Sequence, residues 1–149
     1  MNKILRTDTE SKDFQRLVRK LDAYLAEIDG EENAFYSQYN KIEFLDKVVV
    51  LYQGEVPVAC GAMKPSAGGN LEIKRMYTLP EFRGRGLASQ VVHELEKWAK
   101  ESGAEACVLE TGKRQKDAVA LYKKLGYQII PNFEPYVGVE NSLCFEKKL

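Results

Sequence analysis

A run of short apolar segments, followed by a glycine-rich turn and a helix, constrains the fold more than any other feature of this sequence. Residues 46–52 (DKVVVLY) and 56–63 (VPVACGAM) are β-branched or apolar, and the turn at 53–55 predicts that they form a hairpin. Residues 71–77 (LEIKRMY) predict a third strand of an antiparallel meander. The turn PEFRGRGLASQ at 80–90 then leads into a helix. This order predicts a sheet with helices packed on it.

Helical periodicity flanks the meander on both sides. Apolar residues recur at helical spacing over residues 14–28, 88–99 and 118–125, and a glycine follows each run. This pattern predicts three amphipathic helices and the places where they end. Residues 32–41 (ENAFYSQYNK) lack a clean period, so a short helix and an ordered loop are both open there.

Later strands complete the predicted sheet. Short apolar runs indicate them at residues 106–110, 127–130 and 142–147. Strands first, with a β-turn-α-β-α-β passage later, predict a mixed α/β fold with a mostly antiparallel sheet and helices on its faces. The sequence has no internal repeat, low-complexity tract or linker, so residues 1–149 are predicted to form one domain.

Composition argues against several classes of function. Twenty-two basic residues balance twenty-two acidic ones, so no global field favours a nucleic acid or an anionic membrane. No window approaches the roughly 18 to 20 apolar residues of a membrane span, and no signal peptide is predicted. Three cysteines in apolar runs favour free buried thiols and a cytoplasmic location. No His, Cys and Asp cluster has zinc spacing, so no metal site is predicted.

The glycine-rich turn has the chemistry of an anion site. A strand, two glycines and the start of a helix present backbone N–H groups, and glycine lets the bare backbone approach an anion closely. Arg83 and Arg85 add positive charge. The turn lacks the lysine of a P-loop. It also fits a dinucleotide-binding fingerprint poorly, because Ser89 occupies the position of that pattern's third glycine. At this stage an ordinary turn with solvated arginines remains an alternative.

Two motifs resemble those of the GNAT superfamily of acetyl-CoA-dependent N-acetyltransferases. The pattern R-x-x-G-x-A at residues 83–88 matches the family's pyrophosphate loop, [QR]-x-x-G-x-[GA], and follows a charged strand as it does in that family. The pattern A-x-x-L-Y-x-x-x-G-Y at 118–127 is similar to the family's second late helix and the strand after it. The similarity covers essentially the whole chain. It implies a GNAT-type sheet in which two parallel strands splay apart.

The resemblance implies that acetyl-CoA is the cosubstrate, held between splayed strands at residues 71–78 and 106–110. Backbone groups of residues 76–78 would pair with the pantetheine, and the turn at 84–88 would hold the pyrophosphate. Gln115 stands where the family often has Asn. The cofactor-binding residues that the resemblance implies are Met76, Tyr77, Thr78, Arg83, Gly84, Arg85, Gly86, Leu87, Ala88 and Gln115.

Transfer to a primary amine requires a base, because an alkylamine with a pKa near ~10.4 is protonated at neutral pH. Glu72 precedes Arg83 by eleven positions, a spacing similar to that of the glutamate base in some GNAT members, and is the predicted base, directly or through water. Tyr122 occupies the position whose family counterpart donates a proton to the departing thiolate. The alternatives are that Glu72 is a solvated partner of Lys74 and that Tyr122 is simply part of the core.

The resemblance places the acceptor amine among residues of the early helical region, the second splayed strand and the final loop. Glu110 ends that strand and could hold a cationic acceptor. Aromatic packing explains the others nearly as well as acceptor binding does. The substrate residues predicted on this basis are Glu110, Tyr36, Asn40 and Tyr136.

The predicted function is a cytoplasmic N-acetyltransferase that moves the acetyl group of acetyl-CoA to a primary amine of a small molecule, or to an exposed peptide or protein amine. The transfer would occur by direct attack in a ternary complex. No nucleic-acid, membrane or metal partner is predicted, and a homodimer is an option because superfamily members often pair. The alternative is a GNAT-fold module that senses acyl-CoA without turnover.

Overall fold

The structure is a computed structural model that describes residues 2–39, 41–42 and 45–149. Within these residues the strands are β1 (Asn2–Thr7), β2 (Lys47–Gln53), β3 (Val56–Pro65), β4 (Leu71–Thr78), β5 (Ala106–Gly112), β6 (Gln128–Ile130) and β7 (Ser142–Lys148). The helices are α1 (Lys12–Asp29), α2 (Asn33–Ser37), α3 (Leu87–Glu101) and α4 (Lys116–Lys124).

The strands that the structure describes form one seven-stranded sheet in the order β1-β2-β3-β4-β5-β7-β6. Neighbouring strands are antiparallel except for β4 and β5, which are parallel. The predicted mixed, mostly antiparallel sheet is therefore confirmed.

Helices cover both faces of this sheet. Successive residues of a strand point to opposite faces, and the run Val48–Leu51 of β2 is fully buried, so neither face is open there. On one face Arg6 of β1 donates a hydrogen bond to Glu94 of α3 (2.7 Å). On the other, the Tyr52 hydroxyl of β2 donates to Asp13 of α1 (2.7 Å). The predicted arrangement of helices on the faces of the sheet is correct.

Helix α1 begins and ends where its sequence predicts. The Ser11 hydroxyl accepts a hydrogen bond from the Phe14 N–H (3.1 Å), which satisfies one of the unpaired donors of the first turn. The helix buries an apolar stripe that begins at Phe14 and includes Leu17 and Leu21. Gly30 follows the last helical residue with φ of 53°, a conformation that glycine adopts without steric penalty.

Strands β4 and β5 are paired only at their beginnings. Their parallel register runs from Leu71 opposite Cys107 to Ile73 opposite Leu109. Both strands continue beyond this point, β4 to Thr78 and β5 to Gly112. We call the place where they part, after Ile73 and Leu109, the fork. The splayed parallel pair implied by the resemblance is present.

A β-bulge in β4 lies just beyond the fork. The register with β3 shifts between Cys60, which faces Tyr77, and Ala62, which faces Lys74, so β4 holds an extra residue there. Arg75, within the bulge, has φ of 59°, a value that residues other than glycine adopt uncommonly. A bulge bends its strand and interrupts the ladder of hydrogen bonds. The bulge therefore explains why β4 separates from β5 at this point.

The structure adds one strand that was not predicted and shows which alternative holds in one segment that the sequence left open. Strand β1 was not predicted, and it pairs antiparallel with β2 from Asn2 opposite Gln53 to Thr7 opposite Val48. In the region at 32–41 the structure forms helix α2 directly after a 3₁₀ turn at Gly30–Glu32. Asn40, one of the predicted substrate residues, lies outside the described residues.

Two further observations concern the cysteines and the lengths of the helices. All three cysteines are buried and free. Among the described helices, none has the length and apolarity needed to cross a membrane.

Candidate active site

The fork opens into a cavity of about 460 Å³. Residues 72–78 of β4 form one wall, residues 109–112 of β5 form another, and α1, α2, α4 and the start of α3 contribute side chains. The six steps from Glu72 to Thr78 span roughly 20 Å at about 3.3 Å per residue. The cavity is therefore elongated, with the fork at one end and the glycine-rich turn at the other.

The glycine-rich turn presents open backbone to its end of the cavity. Gly84 and Gly86 have φ of 79° and 76°, and a Cβ built on either would meet nothing within 4 Å. The first intrahelical bond of α3 runs from the Gln90 N–H to the Gly86 carbonyl (3.2 Å), so the amides of residues 87–89 have no acceptor inside the helix. No side chain within the described part of the chain caps this end. Free amides beside open space fit a phosphate group.

Arg83 is fixed at the same end of the cavity. Its Nε–H donates a hydrogen bond to the Thr78 carbonyl (3.0 Å). The guanidinium lies over the rings of Tyr24 and Tyr77, with centroid distances of 5.2 and 5.6 Å. These contacts hold a permanent positive charge next to the free amides of α3.

The predicted cofactor residues fall into two groups. Seven line the cavity: Met76, Tyr77, Thr78, Arg83, Gly84, Ala88 and Gln115. Three others lie in the turn outside that lining: Arg85, Gly86 and Leu87. Arg85 donates to the Glu81 carbonyl (3.4 Å) and lies over the Phe82 ring, while the Leu87 side chain is buried in the core. A contact between Leu87 and a ligand could therefore come only from its backbone.

At the fork, Glu72 and Lys74 form a buried ion pair. The Lys74 Nζ lies 3.7 Å from the Glu72 carboxylate, and the two side chains are only 7% and 8% exposed. Lys74 also donates to the Tyr39 carbonyl (2.8 Å) and to the Tyr136 hydroxyl (3.4 Å). Burial raises the pKa of Glu72, against the opposing effect of Lys74, and burial lowers the pKa of Lys74. The sequence suggested this pairing as an alternative role of Glu72, but with both side chains in solvent.

Glu110 occupies the opposite side of the fork and has a different environment. Its Oε2 atom is buried and has no hydrogen-bond partner among the described residues. Burial raises the pKa of Glu110 to about 7, and a hydrogen bond from Ser142 opposes the increase. The Ser142 hydroxyl lies 3.1 Å from the Tyr36 hydroxyl, which accepts a hydrogen bond from the Asn141 amide (3.2 Å).

Asp29, the last residue of α1, adds a third carboxylate to this end of the cavity. Burial raises its pKa, and the positive charge of Arg114 opposes the shift. Arg114 itself is held by an ion pair with Glu32. Neither Asp29 nor Ser142 was predicted from the sequence, because their neighbours at this end of the cavity are distant in the chain. Their only local signals are positions at the end of a helix and the start of a strand.

Tyr122 contributes a buried phenol from α4. Its ring packs edge-to-face on Tyr127 at a centroid distance of 5.8 Å and against Phe145 at 6.1 Å. The residue also lines the cavity, and burial raises its pKa above the usual phenol value. Tyr122 is thus both a core residue and a cavity residue, and its role as a donor to the departing thiolate stays a prediction.

Tyr136 and His93 lie away from the cavity wall. Tyr136 is 2% exposed and lies behind Lys74 rather than in the lining. His93 is exposed on α3. Within the part of the chain that the structure describes, no cluster of His, Cys, Asp or Glu side chains could hold a metal ion.

Residues 11–127 match the sequence model of the Acetyltransferase (GNAT) family. This chain belongs to the GNAT family. Among the relatives of this GNAT protein, the IAA acetyltransferase of Azospirillum brasilense is 32% identical over 136 residues, which are 90% of this chain and 89% of that protein.

Solved structures share the GNAT fold. A protein from Klebsiella pneumoniae subsp. pneumoniae superposes with a TM-score of 0.83 at 29% identity, covering 100% of this chain and 98% of that one. A GNAT family acetyltransferase from Elizabethkingia anophelis, solved with acetyl-CoA bound, has a TM-score of 0.72 at 17% identity, covering 99% and 98% of the two chains. The family resemblance stated from the two motifs is confirmed.

Proposed function

We propose that this GNAT protein transfers the acetyl group of acetyl-CoA to a primary amine, either of a small molecule or of an exposed peptide or protein, within a ternary complex. The observation that carries the proposal is the polarity of the cavity. Arg83 and the free amides of α3 lie at one end, while the carboxylates of Asp29, Glu72 and Glu110 lie at the other, where Lys74 pairs with Glu72. An anionic cosubstrate and a cationic acceptor would each meet the opposite charge.

The residues at the turn and along β4 fit acetyl-CoA. Beyond the fork β4 has no β5 partner, so its backbone groups on that side are available to an extended ligand such as pantetheine. Residues 76–78 would supply these groups, and the amides of the turn together with Arg83 would hold the pyrophosphate. When bound, acetyl-CoA supplies a thioester whose acetyl carbon can be attacked by an amine.

The fork end would bind the acceptor. A primary alkylamine enters as an ammonium ion, since its reference pKa is near ~10.4, and buried carboxylates favour that charge. The ammonium must then lose a proton before nitrogen can attack. Glu72 and Glu110 both line the cavity and are both raised in pKa by burial, so either carboxylate is a candidate for this role.

Tyr122 would donate a hydrogen bond to the departing sulfur. Its raised pKa keeps the phenol protonated throughout the neutral range. Complete proton transfer from a phenol of reference pKa ~10 to a thiolate of ~8.5 is uphill, and burial of Tyr122 makes it more so. Stabilisation of developing negative charge by a protonated phenol is therefore the role that its environment supports.

We also place the protein in the cytoplasm, because its three cysteines are free thiols and thiols persist in a reducing compartment.

A panel of primary amines tests the proposed activity. Purified protein would be incubated with acetyl-CoA and with polyamines, amino acids, aminoglycosides or short peptides, while release of free thiol is followed. We expect thiol release that depends on one class of amine, with N-acetylated product detected by mass spectrometry. Tight acetyl-CoA binding without thiol release for any amine would contradict the transfer and favour the acyl-CoA sensor.

A further inference from the structure

Asp29, the last residue of α1, carries a carboxylate whose position the stability of the fold does not explain. The carbonyl groups at the end of a helix have partial negative charge, so a carboxylate there is repelled. The last turn of α1 contains no basic residue that would offset this repulsion. Asp29 is also only 7% exposed, and burial raises the pKa of its carboxyl group. The helix end and burial therefore both make a charged Asp29 unfavourable for folding.

The described part of the chain gives Asp29 no direct partner. Its carboxylate forms no hydrogen bond or ion pair with the described residues. The charges of Arg114 and Glu32 act on it with opposite signs, and these two residues pair with each other. Buried carboxylates in native proteins are usually paired or hydrogen-bonded. An ammonium group would supply both a donor and a counter-charge.

The carboxylate of Asp29 can be reached from the cavity that Asp29 lines. At the same end of the cavity, the Oε2 atom of Glu110 is closed off from solvent. The oxygens of Asp29 also lack a partner among the described residues, but they are not closed off in this way. A charged group inside the cavity can therefore contact Asp29.

Helix α1 forms an apolar wall that leads to Asp29. Leu21, Leu25 and Asp29 follow one another at intervals of four residues and all line the cavity, as expected for one face of a helix. The ring of Tyr24 lies 5.2 Å from the Arg83 guanidinium. Asp29 comes five residues after Tyr24, or roughly 7.5 Å further along the axis at ~1.5 Å per residue. Asp29 is thus separated from the phosphate end of the cavity and lies next to aliphatic side chains.

We propose that Asp29 binds a second ammonium group of the acceptor, and that the acceptor is therefore a diamine. This inference rests on the proposed transfer to an amine. One amino group of the diamine receives the acetyl group, while the other stays charged and donates hydrogen bonds to the Asp29 carboxylate. The ammonium bound there is the non-reacting one, because Asp29 belongs to α1, whereas the thioester would lie along β4. The methylene groups between the two nitrogens pack against Leu25.

Matched pairs of amines test this role. Diaminoalkanes from 1,3-diaminopropane to 1,6-diaminohexane would be compared with n-alkylamines of the same chain length, while release of free thiol is followed. For wild type we expect kcat/KM to be at least about tenfold higher for the best diamine than for its monoamine, because a hydrogen bond to a charged group is a strong one. Asp29→Asn should lower the diamine value by about 10- to 100-fold, mainly through KM, and change the monoamine value by less than about twofold. Asp29→Glu should restore part of the preference.

The matched control is Glu31→Gln. Glu31 is an exposed acidic residue that follows Asp29 closely in the chain and lies outside the cavity lining, so this variant should keep the wild-type preference for diamines.

Urea unfolding at pH 8 gives a second readout that does not require turnover. We expect Asp29→Asn to unfold at a higher urea concentration than wild type, because the substitution removes a buried charge from the end of a helix. Glu31→Gln should have a smaller effect, since its charge is already in solvent.

Three results would overturn the role of Asp29 while leaving the proposed transfer intact. They are acetylation of monoamines or peptides by wild type at least as efficient as that of diamines, an unchanged diamine preference in Asp29→Asn, and an Asp29→Asn protein less stable than wild type. Absence of turnover by wild type with every amine, peptides included, would overturn the proposed function, and the role of Asp29 with it.

Discussion

At the scale of single residues, Glu110 makes the stability of the fold depend on pH. Its folded-state pKa of about 7 lies above the reference value of 4.5, so between these pH values the folded protein binds more protons than the unfolded chain. The free energy of unfolding therefore falls as pH rises from about 4.5 to about 7, and the full penalty of a buried carboxylate is present above that window. Stabilisation by protonated Glu110 is complete at low pH and lost at high pH.

We expect Glu110→Gln to be more stable than wild type at pH 8 and equally stable at about pH 4. A shift from 4.5 to about 7 corresponds to a difference of up to about 3 kcal/mol at pH 8, at ~1.36 kcal/mol per pH unit. Urea unfolding at both pH values measures it. Glu105→Gln, at an exposed position just before β5, is the matched control and should show no such difference. A Glu110→Gln protein that is less stable than wild type at pH 8 would contradict the pKa assignment.

Tyr122 gives a second prediction at this scale. Tyr122→Phe should lower kcat by about 10- to 100-fold, because a hydrogen bond to a charged group contributes about 1.5–3 kcal/mol. The KM for acetyl-CoA should change little, since the ring and its packing remain. Tyr127→Phe is the matched control: it removes a hydroxyl that donates to Glu96 from the neighbouring ring, outside the cavity lining. Equal kcat values for Tyr122→Phe and wild type would exclude Tyr122 from the chemical step.

At the scale of elements, the glycine-rich turn lies between a strand and a helix as the sequence predicts, and Gly86 tests its proposed role in binding the cofactor. Gly86→Ala and Gly103→Ala both place a side chain on a residue of positive φ, 76° and 91°, where neither Cβ meets another atom within 4 Å. Each should lose about 1–2 kcal/mol of stability from backbone strain. Only Gly86→Ala should also weaken acetyl-CoA binding, by at least about tenfold, as measured by calorimetry. The same affinity in both variants would remove the turn from the cofactor site.

The bulge of β4 is anchored by α1. Arg75 pairs with Asp22 at 2.5 Å, with side-chain exposures of 1% and 58%. Asp22→Ala should therefore destabilise the fold by about 1–3 kcal/mol, less than the ~3–5 kcal/mol of a fully buried pair, because Asp22 is well exposed. Urea unfolding checks the value. Glu27→Ala, at an exposed position on the same helix, should change stability by less than about 0.5 kcal/mol. Equal effects would show that the pair does not anchor the bulge.

Helices and strands with many apolar residues at regular spacing could be predicted from the sequence. Elements that form only through contacts with residues distant in the chain could not. The segments that became β2, β3, α1 and α3 carry enough apolar residues in phase to identify them. Strand β1 has the short mixed sequence NKILRT and becomes a strand by pairing with β2, about 40 residues further along. Nothing in the sequence marks Arg75 as a residue of positive φ, so the bulge, and with it the surroundings of Glu72, had to come from the structure.

At the scale of the whole molecule, the candidate site has two parts. One could be identified from sequence motifs, and the other consists of residues that only the fold brings together. The turn and Tyr122 belong to contiguous motifs within the family match at 11–127. The end of the cavity proposed for the acceptor contains Asp29 of α1 and Glu110 of β5, and β7, which carries Ser142, pairs with β5. Ser142 lies beyond the matched segment. That Glu110 binds substrate stays a prediction, and its buried oxygen without a hydrogen-bond partner among the described residues could not be predicted from the sequence.

The binding of acetyl-CoA in the cavity between β4 and β5 underlies every functional step proposed for this protein. Calorimetric titration of the wild-type protein with acetyl-CoA, with Gly86→Asp as the variant that adds bulk and negative charge to the turn, addresses it without knowledge of the acceptor. We expect saturable binding of one acetyl-CoA per chain by wild type and its loss in Gly86→Asp, whose unfolding temperature should show that it is folded. Absence of binding to wild type would contradict the assignment of the cavity, even though the fold is that of the GNAT family.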